Sequence, residues 1–168
     1  TSHQTPDGNP DMNAVTPDTQ VADPRGMSGI EQLRYAFDPE RPERGPGIGR
    51  TLGFTVIEIE EGRVVFGGHP DESVYNPIGT VHGGYAATLL DSAVGCAVHS
   101  TLKAGQGYTT LELKVAYHKA LTKETGPVRA EGRVIQAGRR AAFAEGRLVD
   151  GKGVVYATAT STLLVFER

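Results

Sequence analysis

The stretch from His82 to about Lys103 constrains the fold more than any other part of the chain. It carries Ala86, Ala87, Leu89, Leu90, Ala93, Val94, Ala97, Val98 and Leu102 with few helix breakers. That length and Ala/Leu content predict a helix, and its apolar positions encircle most of its girth. Such a helix is central, covered on most sides by other elements. The flanking segments have the two-residue period of strands. Residues 53–60 alternate Phe54, Val56/Ile57 and Ile59 with polar side chains, and Glu61-Gly62 turns the chain into residues 63–67. Residues 108–118, 128–137, 140–149 and 154–166 are four further strands, with turns at Gly126-Pro127, Gly138 and Asp150-Gly151. In the first of these, alternation puts Leu111, Leu113, Val115 and Tyr117 on one face and Thr110, Glu112 and Lys114 on the other. The expected class is α+β: an antiparallel sheet of about six strands wrapped around one long central helix.

At 168 residues the chain suits one domain with a sizeable core. Residues 1–27, with Pro6, Pro10, Pro17 and Pro24 and scarcely any large apolar side chain, read as a flexible tail before a single domain over 28–168. Ser28 is placed to cap a short helix carrying Ile30, Leu33, Tyr35 and Phe37, and residues 39–50 read as a surface loop. A net charge of -3 argues against a dedicated nucleic-acid binder. No apolar run approaches the ~18 residues of a membrane span. The start does not resemble a signal peptide, so the expected setting is cytoplasmic. Cys96 is the only cysteine, which excludes an intrachain disulfide and reads as a packed small side chain. No metal-ligand spacing and no phosphate-loop or dinucleotide glycine signature is present, and no metal is expected.

Chemistry concentrates in Asn76-Pro77-Ile78-Gly79-Thr80-Val81-His82-Gly83-Gly84 and in Leu89-Leu90-Asp91-Ser92-Ala93. Two glycines opening a buried helix leave the unpaired N–H groups of its first turn open to a ligand, with the helix dipole adding positive character. That suits an oxyanion hole; close packing of the helix on a strand is the other explanation. Asp91 lies two turns on, with Ala87 and Val94 on its face. A carboxylate there needs solvent, a capping donor or a chemical task such as general base or nucleophile.

Together the pattern Asn76-Pro, Gly79, His82-Gly83-Gly84, Leu90-Asp91 and Ala93, then residues 109–118 and Gly138-Arg139-Arg140, resembles the HotDog-fold thioesterases, specifically the phenylacetate-degradation type of acyl-CoA thioesterase. The resemblance covers about residues 50–166. It implies hydrolysis of an acyl-CoA thioester, with coenzyme A entering only as part of the substrate. It further implies Asp91 as base or nucleophile, the Gly83 N–H on the thioester carbonyl, and Asn76 and His82 assisting binding and the leaving group. A hydroxyl at the start of the following strand orients water; Thr109 fits by position, with Thr110 its neighbour. Gly84, Lys114, His118, Arg139 and Arg140 are candidates for binding the CoA portion, Lys119 borders the same channel, and Tyr117 and His118 are candidates for stacking on adenine. Two other classes compatible with the fold are an enoyl-CoA hydratase-type enzyme, against which the His-Gly-Gly start argues, and a non-catalytic acyl-CoA binder, which the retained Asp91 disfavours.

Helix geometry adds one expectation. Gly83 and Asp91 are eight residues apart, about 12 Å at ~1.5 Å per residue. One helix hardly serves both ends of a thioester reaction. An antiparallel second copy would set Asp91 of one chain opposite Gly83 of the other, giving a homodimer with shared sites, which the resemblance extends to a dimer-of-dimers.

Overall fold

The computed structural model describes residues 26–41 and 47–168. The expected tail up to Arg25 and the middle of the expected 39–50 loop lie outside the described residues. Two short helices precede the sheet: α1 (Gly29–Ala36) and α2 (Ile48–Leu52). Ser28 starts α1, its backbone N–H donating to the Glu31 carboxylate at 2.7 Å. The second helix corrects the loop reading of residues 39–50, because Ile48 to Leu52 complete a turn that Gly53 ends in the left-handed region at φ 69°.

Six strands follow: β1 (Phe54–Glu60), β2 (Arg63–Gly68), β3 (Gln106–Tyr117), β4 (Val128–Ala137), β5 (Ala141–Asp150) and β6 (Val155–Glu167). They form one antiparallel sheet in the order β1-β2-β4-β5-β6-β3. The central helix α3 (Gly83–His99) is inserted between β2 and β3 and packs across the sheet. It is shorter than the sequence suggests, because Ser100 caps it and bonds back through Oγ to the Ala97 carbonyl at 2.6 Å. Leu89, Leu90, Ala93, Val94, Ala97 and Val98 are fully buried. Removing each Leu or Val side chain from water contributes roughly 1.5–3 kcal/mol, so this one face holds the molecule together. Close approach is set by Gly132, where a Cβ would come within 2.3 Å of the Ala93 backbone. No helix is long and apolar enough to cross a membrane among the described residues.

One detail of β3 matters for the site. Its pairing with β6 shifts register between Thr110 and Glu112, a bulge that throws Leu111 outward to 58% exposure. Thr110 therefore faces α3, and after the bulge Leu113 and Val115 do. The simple alternation expected over residues 108–118 fails at this one inserted residue.

Candidate active site

A cleft of about 370 Å³ opens at the start of α3, lined by His82, Gly83, Tyr117, His118, Lys119 and Tyr156 among others. The chain reaches it through the loop after Tyr75. Asn76 shapes that loop: its Oδ1 accepts from the Ile78 and Thr80 N–H groups at 3.1 and 3.2 Å, and its Nδ2 donates to Thr80 Oγ1 at 3.0 Å. Three of the four hydrogen-bonding places on its amide are thus used within the loop, leaving one Nδ2 hydrogen. Gly79, at φ 85°, makes the turn possible.

His82 is the N-cap of α3, and its Nδ1 accepts the Gly84 N–H at 2.8 Å. A backbone N–H is always the donor, so Nδ1 is unprotonated and the neutral ring carries its proton on Nε2. His82 is exposed and thus presents an Nε2–H donor at the cleft. The same bond occupies the Gly84 N–H, which the sequence offered as a substrate contact. The Gly83 N–H has no acceptor among the described residues, and it is the donor at this helix start that remains open.

Asp91 lies half-buried two turns along α3 and outside the cleft's lining. Its Oδ1 accepts from Thr110 Oγ1 at 3.0 Å. Thr109, placed beside Asp91 by position in the sequence, is instead exposed on the opposite side of β3, because successive strand residues point to opposite faces. Burial first, and the Asp91 charge second, push the Cys96 thiol up to about 12. The same influences, with Cys96 between them in size, raise Tyr108 as well. Cys96 is accordingly a poor nucleophile at neutral pH.

The candidates for CoA binding separate. His118 stays at the cleft, with Nε2 2.8 Å from Thr158 Oγ1. Lys119 sits 5.2 Å from the Tyr156 ring centroid. Lys114 lies on the outer face of the sheet, in a cavity of about 560 Å³ shared with Glu131, Arg133, Glu145 and Arg147. Strand alternation turns it away from α3, so it does not join the cleft. Arg139 and Arg140 are exposed between β4 and β5, at the end of the sheet near the C-terminus of α3 and opposite their own chain's cleft. Tyr117, considered for adenine, has its hydroxyl on the Gly83 carbonyl. Sequence reasoning missed that contact, since it joins residues 34 apart.

The thioesterase superfamily profile matches residues 78–157, which span this cleft, α3 and β3 to β5. The fold is a HotDog fold, and the matched segment is similar to the thioesterase superfamily. The chain is 25% identical over 122 residues to a 1,4-dihydroxy-2-naphthoyl-CoA hydrolase of Listeria monocytogenes, covering 73% of this chain and 98% of that protein. Among solved structures it is similar to a thioesterase family protein of Silicibacter pomeroyi (25% identity, TM-score 0.70, covering 83% of this chain and 99% of that one). The PaaI protein of the E. coli phenylacetic acid degradation operon superposes with TM-score 0.70 at 17% identity, covering 82% and 94%. Family and relatives together support a thioester hydrolase.

Proposed function

We propose that this protein hydrolyses acyl-CoA thioesters at a site built by two copies of the chain. One copy provides the Gly83 N–H and His82, and the other provides Asp91 and Thr110. The observation that carries this reading is the division within a single chain. The open N–H lies in a cleft that Asp91 does not line, while Asp91 and Thr110 meet about 12 Å further along α3. Two unpartnered surfaces support it. Gly84, Thr88, Asp91 and Ser92 form a stripe along α3 that is not buried. Among the described residues β3 ends the sheet, with twelve residues whose outer backbone edge is unpaired. An antiparallel second copy along β3 extends the sheet, covers the stripe and brings each cleft to the other chain's Asp91. It also carries the partner's cleft toward Arg139 and Arg140, which then suit the phosphates of CoA.

In such a site water attacks the thioester carbonyl while Asp91, held by Thr110, takes its proton. The carbonyl oxygen becomes an oxyanion against the Gly83 N–H at the positive end of α3. When the tetrahedral intermediate collapses the C–S bond breaks, CoA leaves as a thiolate steadied by His82 Nε2–H, and the acid is released. Direct attack by Asp91 through an acyl anhydride gives the same products, and ¹⁸O from H₂¹⁸O entering Asp91 in a single turnover identifies that route where water opens the anhydride at the Asp91 carbonyl. The Listeria relative acts on an aromatic acyl-CoA by its name, which favours CoA over other thiols as the leaving group. The test is thiol release from a panel of acyl-CoAs with wild type and Asp91→Asn, alongside enoyl-CoA hydration. The expected kcat loss is at least ~100-fold, about 3 kcal/mol of barrier. Retention of more than a third of the activity, with chemistry limiting, contradicts the role of Asp91.

A further inference from the structure

Resting on the shared-site reading above, we infer that Tyr117 is a positioning residue that fixes the direction of the Gly83 N–H. Tyr117 closes β3, and its hydroxyl donates to the Gly83 carbonyl at 2.7 Å. Its ring lies so close to Gly83 that a Cβ there would sit 3.0 Å from Cζ. The Gly83 carbonyl and the Gly84 N–H are the two ends of one planar peptide unit. The Gly84 end is held by His82 Nδ1 at 2.8 Å. The unit is therefore pinned from both sides, by the N-cap and by the end of β3.

This matters because the start of α3 is a pair of glycines. The Gly83 N–H belongs to the preceding peptide unit, and its direction relative to the pinned one depends only on rotation about the Gly83 Cα, where no Cβ restricts the backbone. First-turn N–H groups have no partners within the helix to hold them. The His82 carbonyl at the other end of that preceding unit accepts the Tyr85 N–H at 2.9 Å, so with the following unit anchored at both ends the open N–H is aimed before any substrate arrives, which is what an oxyanion donor requires. Tyr117 is 56% exposed, so its hydrogen bond adds little to global stability. Its effect falls on the glycine pair.

Tyr117→Phe keeps the ring and removes the hydroxyl. The expected result is a kcat lower by ~10-fold with KM within ~2-fold, the pattern of an interaction that matters in the transition state. Two non-hydrolysable CoA analogues read the same effect without turnover. One is an S-alkyl thioether that lacks the carbonyl; the other is a ketone with one methylene between sulfur and carbonyl. Tyr117→Phe should weaken the ketone by ~3-fold or more and leave the thioether unchanged. A kcat within ~2-fold of wild type, or equal weakening of both analogues, overturns the inference. If wild type binds both analogues yet hydrolyses no acyl-CoA, the hydrolase reading fails while the ketone-to-thioether ratio still decides the role of Tyr117.

Discussion

The bulge in β3 makes a discriminating pair of substitutions available at adjacent positions. Thr110→Val and Thr109→Val are isosteric and each removes one hydroxyl, but only Thr110 bonds to Asp91, at 3.0 Å. A hydrogen bond to a charged group contributes about 1.5–3 kcal/mol, and a half-buried pair falls at the lower end. About 1.4 kcal/mol corresponds to a factor of ten in rate. Thr110→Val is therefore expected to lower kcat by ~10-fold, through an Asp91 carboxylate free to rotate away from the attacking water. Thr109 is exposed on the far side of the strand, and Thr109→Val should stay within ~2-fold of wild type. The assay is steady-state thiol release on the best acyl-CoA of the panel, with denaturation midpoints measured on both variants so that unfolding is not mistaken for catalysis. An equal or larger loss in Thr109→Val would show that the partner of Asp91 has been misassigned.

Gly132→Ala should be severely destabilising, because the new Cβ would meet the Ala93 backbone at 2.3 Å and no side-chain rotation relieves a clash with backbone; a loss of ~3 kcal/mol, read from the urea midpoint, is expected. Gly151→Ala, with nothing within 4 Å, is the control and should be neutral. Although burial alone would raise the Glu131 carboxyl, bonds from Arg133 and Arg63 hold it down to about 2. Its folded value thus lies below its unfolded one, and stability present above about pH 4.5 is lost as pH falls toward 2. The contribution is on the order of 2 kcal/mol after solvent screening, and Glu131→Gln should flatten the stability profile across that window. Replacing Arg139 and Arg140 together with Ala should raise KM for acyl-CoA and weaken its salt dependence with kcat nearly intact; an unchanged KM removes them from the CoA site.

The architecture was legible because burial leaves a periodic trace. Leu89, Leu90, Ala93 and Val94 announce a helix that is apolar around most of its girth, and Asp150-Gly151 and Gly126-Pro127 mark where strands end. The clustering of His82, Gly83 and Asp91 on one helix was legible for the same reason. What escaped depends on single insertions and on hydrogen-bond direction. Leu111 is apolar and continues the alternation, so nothing in its identity signals that it is the bulged residue, and its displacement brings Thr110 rather than Thr109 to Asp91. The sequence cannot tell that Gly84 gives its N–H to His82, or that Asn76 folds its own loop, since both follow from geometry within a few residues. Lys114 looked like a channel residue until sheet order set it on the outer face among Glu131, Arg133 and Glu145.

The claim that two chains build each site is tested most directly by mixing two inactive variants, His82→Ala and Asp91→Ala, under conditions in which subunits exchange, with exchange followed by native mass spectrometry. Each mixed dimer would hold one site with both lesions and one with neither. Random pairing makes about half the dimers mixed, so activity should recover to roughly a quarter of wild type. Complete exchange with activity no higher than that of the separate variants would contradict the shared site.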